Sequence, residues 1–299
     1  MRKIPLFCAV AVLAMACEKP QQTPSPVPDP GPTPVVENKI PINISMLPFT
    51  KATDSAFESG DVVGLWVVNS GNSFTASGNH ADNVSFTFDG SSWKAASQLY
   101  WKDESTPASF YCYYPRVTSV SDVKALPFSV KADQSALSEY RASDLLWGCK
   151  LNVQPTANAV EIQTNHRMSN LLVYLLPGNG YTAETLETEG VELKINALKP
   201  ACTLDLQSGT VTAVGGTIDI IPYREADHYR ALVPPQEIQD QTLISVKVGS
   251  YSFSLKTSIN LKTNTQHKVT LTINKVSEGF NIGIGDWETD DIDYGGTVN

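Results

Sequence analysis

The sequence predicts an all-β protein built from antiparallel β-sandwich domains. Three observations carry that prediction. Residues 242–248 alternate Ile244, Val246 and Val248 with polar neighbours, Gly249-Ser250 follows, and Tyr251, Phe253 and Leu255 resume the alternation. A two-residue loop of the II′ kind then sets Val248 opposite Tyr251, Val246 opposite Phe253 and Ile244 opposite Leu255, so that all six share one face. Other alternating stretches are separated by clusters of Gly, Pro, Asn and Asp, as in sandwiches. No stretch keeps apolar residues at helical spacing for three turns.

From the amino terminus, Met1-Arg2-Lys3 precedes an apolar run over residues 4–15 and then Ala16-Cys17, which has the form of an export signal. The run is too short to span a bilayer as a mature helix. Leu13-Ala14-Met15-Ala16-Cys17 resembles a lipobox, with Leu13 one residue further from the cysteine than usual. Residues 1–16 are therefore expected to be a lipoprotein signal peptide and Cys17 the lipidated residue. Two or three acyl chains would hold the protein at a membrane durably, because each buried methylene contributes about 0.8 kcal/mol. Pro20, Pro24, Pro26, Pro28, Pro30, Pro32 and Pro34 follow, so residues 17–37 are expected to form a polyproline-like spacer.

The remaining chain is long enough for two domains with their own cores. They are expected over residues 38–152 and 153–299, with the seam in the polar stretch Asn152-Val153-Gln154-Pro155-Thr156. In the first, Phe86-Thr87-Phe88 leads into Asp89-Gly90, a type I′ pair that would set Phe86 across from Trp93. In the second, residues 202–206 and 210–214 around Ser208-Gly209 read as a hairpin, and Val191, Leu193, Ile195 and Val269, Leu271, Ile273 mark half-buried strands. Residues 170–176 are apolar on both parities, as in a central strand. One helical turn each is expected near residues 135–142 and 184–187.

Chemistry-bearing motifs are missing. The formal charge of −9 includes Arg2 and Lys3, which leave with the signal, and this acidity argues against nucleic acid as a partner. Cys112, Cys149 and Cys202 form no CxxC pair, so at most one disulfide is possible and buried thiols are the simpler reading. His80, His166, His228 and His267 show no metal-ligand spacing, and Gly283-Ile284-Gly285 lacks the context of a dinucleotide loop. The acidic run over residues 286–293 lacks the glycine and terminal Glu of a calcium loop. Neither a cofactor nor a metal site is expected, and an enzyme is not. Trp66, Trp93, Tyr100, Trp101, Tyr111, Tyr113, Tyr114 and Trp147 crowd the first half. Turned outward they would stack on sugars; turned inward they are core, which their alternation favours.

Residues 50–66, running Thr-Lys-Ala-Thr-Asp-Ser-Ala-Phe-Glu-Ser-Gly-Asp and then an apolar strand to Trp66, resemble the opening of the fimbrillin family of the Bacteroides group. Matches continue in order with Trp93, Leu99-Tyr100-Trp101, residues 110–115, Ser143-Asp144-Leu145-Leu146-Trp147-Gly148, His166-Arg167-Met168-Ser169-Asn170, residues 231–236, and Ile282, Ile284 and Trp287. The resemblance implies two transthyretin-like β-sandwich domains in a lipoprotein of the outer membrane, acting as a pilus subunit in the shaft, tip or anchor, or as a related adhesin. It implies other subunits, or further copies of itself, as partners by donor-strand exchange, and a surface receptor on a host or another bacterium. In polymerising members a protease removes the first strand, and a neighbour's strand fills the groove. Ile40, Ile42, Ile44 and Met46 have the alternation for that removable strand. Processing in the best-known members is at arginine, whereas past the leader the basic residues ahead of Phe57 are Lys19, Lys39 and Lys51. Lys51, with Ala52 after it, is the candidate cut site; a chain left uncut would suit an anchor or accessory role. A glycan-binding surface lipoprotein is the alternative reading.

The lipid anchor has a direct test. Cys17→Ser should move the protein from the membrane fraction to the soluble fraction of lysed cells, and retention in the membrane would remove the anchor from the account.

Overall fold

The computed structural model describes residues 39–47, 57–275 and 282–284. The signal and proline-rich segments, Cys17, Lys51, Ala52 and the acidic run over residues 286–293 lie outside them. The first half supplies β1 (Pro41–Ile42), β2 (Ile44–Leu47), β3 (Val62–Asn69), β4 (Ala81–Phe88), β5 (Trp93–Ala95), β6 (Leu99–Tyr100), β7 (Ala108–Tyr114), β8 (Leu126–Ser129), helix α1 (Leu137–Ala142), β9 (Leu146–Val153) and β10 (Val160–His166). The second half supplies β11 (Ser169–Pro177), helix α2 (Ala183–Glu189), β12 (Val191–Leu198), β13 (Ala201–Leu204), β14 (Val211–Val214), β15 (Ile218–Ile220), β16 (Tyr223–Arg224), β17 (Tyr229–Val233), β18 (Gln236–Val248), β19 (Tyr251–Leu261), β20 (Gln266–Ile273) and β21 (Ile282–Ile284).

The principal sheet of the first half has the order β2-β10-β9-β7-β3-β4-β5, beside a short β1-β6 pair. The second half forms a sheet β16-β17-β11-β20-β21 and a sheet β15-β12-β18-β19. A small sheet β14-β13-β8 joins the halves, since β8 comes from the first and its partner β13 from the second. The all-β sandwich architecture is thus the observed one.

The β18–β19 hairpin has the register that turn chemistry predicts, with Ile244 opposite Leu255, Val246 opposite Phe253 and Val248 opposite Tyr251. Within the turn positive φ falls on Gly249 alone, at +57°, as a II′ turn requires. Five of the six side chains are buried, and Tyr251 packs partly against the same core. The Phe86 hairpin differs: Phe88 faces Trp93 and Phe86 faces Ala95, a slip of two residues. The Asp89 carboxylate accepts from the Ser91 and Ser92 backbone N–H groups at 2.9 and 2.7 Å and from both hydroxyls. That side-chain cage holds a four-residue loop where Asp-Gly alone suggests two. The slip is even, so the inward parity survives.

Two pairings are parallel, β2 with β10 and β11 with β20, so the sheets are mixed rather than purely antiparallel. Both join segments remote in sequence, where no hairpin turn dictates polarity. The expected seam at residues 152 and 153 lies at the end of β9, whereas β10 returns to the same sheet and the chain leaves it after His166. Residues 170–176 do form the central strand β11, with Leu171 and Val173 fully buried and Leu176 exposed. Both short helices form where expected, α2 with a capping box between Thr182 and Thr185.

Strand β3 is buried on both faces. Val63, Leu65 and Val67 join a smaller core with β2 and β10, while Trp66 and Val68 join the main core shared with the second half. Trp66 lies 5.6 Å from the Tyr113 ring and 5.8 Å from Phe74. The fully buried Gln134 binds both backbone groups of Leu232, accepting at 3.0 Å and donating at 2.8 Å, so its amide takes the place of a peptide at the β17 edge. Trp147 Nε1 donates to the Leu206 carbonyl at 2.8 Å. The described residues accordingly belong to one compact unit beginning at Lys39.

Gly148 marks the closest approach of β9 and β10. A Cβ there would run into the Gln163 carbonyl and come within 2.9 Å of Thr164 Cα, both backbone atoms that cannot rotate away. Gly148→Ala is expected to cost about 1–3 kcal/mol by forcing the strands apart. Gly216→Ala, which meets nothing within 4 Å, should stay within about 0.5 kcal/mol. Urea unfolding of both variants checks the contrast.

Candidate functional site

Residues 40–47 form the edge of the first half, and alternation decides what they bury. Ile42, Ile44 and Met46 turn inward, while Asn43 points to solvent. Ile40 is partly buried against the same cluster. The segment changes partner midway. Pro41 and Ile42 pair antiparallel with Tyr100 and Leu99 of β6, and then Ile44 through Leu47 pair parallel with Val160 through Gln163 of β10.

Its backbone is held at successive points. The Ile40 carbonyl accepts from the Trp101 N–H at 2.9 Å, the Ile42 carbonyl from Gln98 Nε2 at 3.1 Å, and the Asn43 carbonyl from the Val160 N–H at 2.8 Å. Beneath it lie Val63, Leu65, Val67, Phe110, Cys112 and Ile162. The Cys112 Sγ is 3.9 Å from Met46 Sδ. Burial pushes the Cys112 thiol well above the usual range, so the floor at this point is neutral. Burying an Ile or Met side chain stabilises by roughly 1.5–3 kcal/mol, so this short segment covers three such side chains and the edge of β10 together.

The chain re-enters the described region at Phe57. Its ring meets Trp93 edge-on at 4.9 Å and Tyr114 at 5.8 Å. Gly60, with φ +102°, donates to the Phe88 carbonyl at 2.8 Å, and Phe88 N–H donates to the Asp61 carbonyl at 2.9 Å. Asp61 closes the turn by accepting from the Glu58 N–H at 2.7 Å and from the Tyr114 hydroxyl at 3.0 Å. Burial, with the Asp61 charge second, raises the Tyr114 phenol and keeps it a donor. The sequence Phe-x-x-Gly-Asp therefore fixes how the chain enters β3.

The other singled-out residues are spread over the molecule. His80 Nε2 is 2.6 Å from the Tyr100 carbonyl, His166 Nδ1 is 2.8 Å from Asp144, His228 Nδ1 is 2.8 Å from Asp227, and His267 Nε2 accepts from the Lys262 N–H at 3.1 Å. Among the described residues no three His, Cys, Asp or Glu side chains could hold one metal ion. Cys112, Cys149 and Cys202 are free thiols, with Cys112 and Cys202 buried and burial pushing Cys202 up to about 12. Trp66, Trp101, Tyr111, Tyr113 and Trp147 are buried and only Tyr100 of the aromatic group is exposed, at 41%.

Alternation marks residues 40–46 in the sequence, but not Gln98, Trp101, Cys112, Val160 and Ile162 as their seat. Val160 and Ile162 alternate with Glu161 and Gln163, a legible strand pattern. Nothing in that pattern tells which remote strand covers it.

The family model described as fimbrillin-like matches residues 50–287. A protein of Bacteroides ovatus named as a candidate fimbrium tip subunit, Fim1C, is 30% identical over 64% of this chain, which spans only 38% of that relative's own length. A Bacteroides uniformis protein named as a candidate fimbrium subunit is 25% identical, over 79% of this chain and 76% of its own length. A solved structure of a candidate cell adhesion protein from Bacteroides ovatus superposes with a TM-score of 0.67 at 14% identity, covering 84% of this chain and 97% of the other, a likeness of fold. The family match spans most of the chain and begins just before Phe57, and on it the chain belongs to the fimbrillin-like family.

Proposed function

We propose that this chain is a structural and adhesive subunit of a fimbrium at the cell surface, tethered through Cys17 to the outer membrane until residues 40–47 are removed. One observation carries the reading. The segment fills an apolar groove while pairing only with strands more than fifty residues away in sequence, β6 and β10. A cut between it and Phe57 would therefore sever no strand pairing of the remaining chain.

What such a cut would leave behind explains why a partner strand is then needed. Val160 and Ile162 are at most 3% exposed with β2 in place. Without it they would meet water, and the outer backbone groups of β10 would lack partners. An added strand from another subunit restores both the ladder and the apolar cover. Lys51 and Ala52 are the proposed cut site, because Lys51 is the basic residue between β2 and Phe57. The two sandwich domains read over residues 38–152 and 153–299 would then be parts of one compact unit, with the chain passing from one set of sheets to the other at Arg167 and Met168. The role is structural and needs no cofactor. The glycan-binding alternative loses its motive, since most of its aromatic rings are turned into the core.

Intact-mass and amino-terminal analysis of the protein from cells and from sheared filaments tests the reading. Chains that start at Ala52 without lipid and occur in filaments are the expected result. Filaments lacking the protein, with every chain acylated at Cys17 and residues 40–51 attached, would reduce the role to an anchor or accessory one. Deleting residues 40–46 should in addition produce self-association by light scattering, and a monomer of unchanged stability would overturn strand exchange.

A further inference from the structure

The segment seated in the groove also records what the groove accepts, and this goes one step past the proposed function while resting on it. We infer that the groove reads its occupant in one polarity and at three alternate positions, and that Cys112 selects an unbranched apolar side chain at the third. The occupant is an extended segment of another chain with two aliphatic side chains followed, at alternate positions, by one such as methionine.

Polarity follows from the two partners. The occupant must run antiparallel to β6 and then parallel to β10, so its amino end lies beside Tyr100 and Trp101 and its carboxyl end beside Gln163. The three donors along this path are Trp101 N–H, Gln98 Nε2 and Val160 N–H, aimed at the carbonyls of residues 40, 42 and 43. A strand entering the other way would carry its carbonyls out of step with them. The donors fix the register as well, because slipping by one residue would turn the three apolar side chains to solvent.

The third position differs chemically from the first two. Ile42 and Ile44 are 2% and 5% exposed among aliphatic and aromatic neighbours. Met46 instead ends against a sulfur, 3.9 Å from Cys112 Sγ. Cys112 is fully buried on β7, paired with Leu65 of β3 on one side and Gly148 of β9 on the other, so a neighbour is locked to each of its flanks. The small Cys112 side chain leaves room above it for the occupant's third side chain, and in this chain an unbranched thioether fills that room. A long unbranched side chain reaches Cys112 as Met46 does, whereas a β-branched residue, one or two heavy atoms shorter, would leave a gap and an aromatic ring would add volume to an already buried site.

The experiment uses the full mature chain carrying a specific protease site within residues 48–56, nicked there and then mixed with excess fluorescent peptide of residues 39–47. The nicked chain should exchange its own segment for that peptide. Peptides with Met46→Val or Met46→Phe should bind about tenfold more weakly, the scale of one or two misplaced methylenes. A peptide of reversed order should not bind. In a Cys112→Leu chain the preference should invert, the Met46→Ala peptide outcompeting the native one. If that variant does not fold, the peptide series on the unmodified chain decides alone. Equal binding of the native, Met46→Phe and reversed peptides would overturn selection while leaving strand exchange standing. No exchange of any peptide by a folded, nicked chain would overturn both.

Discussion

An open edge on β10 is the constraint on which the first half depends. A buried strand must have its backbone groups paired and its apolar side chains covered, and β10 meets only part of that need from β9, which pairs with Thr164 through His166. Among the described residues, the ladder partner of Val160 through Gln163 is β2. The sheet is complete because a segment from the far end of the sequence supplies what no neighbouring hairpin does. That dependence separates this edge from the opposite one, where β5 returns through the Asp89 loop and closes the sheet locally.

The same sheet has a second, quite different face. β3 sends Val63, Leu65 and Val67 toward the groove and Trp66 and Val68 toward the second half, so one strand belongs to both cores. On the far face the contacts are permanent in kind. Gln134 substitutes for a peptide group at β17, Trp147 binds Leu206, and Arg167 lies 4.6 Å over the Trp147 ring. These are largely buried polar groups, and separating them would leave hydrogen-bonding atoms of Gln134 and Trp147 without these partners. On the function proposed above, exchange at the groove face would leave the contacts of the joint between the halves in place. One face is covered by a segment from the far end of the sequence and the other by side-chain contacts between the halves.

Local rules made much of this legible in the sequence. Alternation plus Gly249-Ser250 gave the β18–β19 hairpin its register, because a two-residue turn leaves a single pairing. Where side chains rather than the turn pair set the loop, as at Asp89, the same rule put Phe86 opposite the wrong residue by an even slip. Parallel partners were beyond reach, since the pattern of Val160 and Ile162 states that a strand is half-buried and not by what. The place where the chain changes sheets failed to show for a related reason. Polar residues 152–156 read as a linker, yet they are a crossover within one sheet, and the real change of sheet at Arg167 and Met168 has no loop-like composition. The family signature was legible as residues; the turn it builds, with Asp61 holding both Glu58 and Tyr114, was not.

On the function proposed above, the linear order of the chain carries its own logic. Cys17 comes first, the groove-filling residues 40–47 second, and Lys51 third, all ahead of Phe57, where the chain enters β3 and the rest of the fold. One cut after Lys51 would separate the lipid and the strand from the rest in the same event. A chain could then not leave the membrane with its groove filled by its own tethered strand, nor open its groove and remain attached through Cys17. Had the strand been placed after the cut site, or contributed by the carboxyl-terminal half, release and activation would be independent steps needing separate control. Coupling them through chain order alone keeps the exposed apolar edge from arising on a subunit still held at the membrane. On that proposal a protease cutting at lysine rather than arginine would be the point at which assembly is decided.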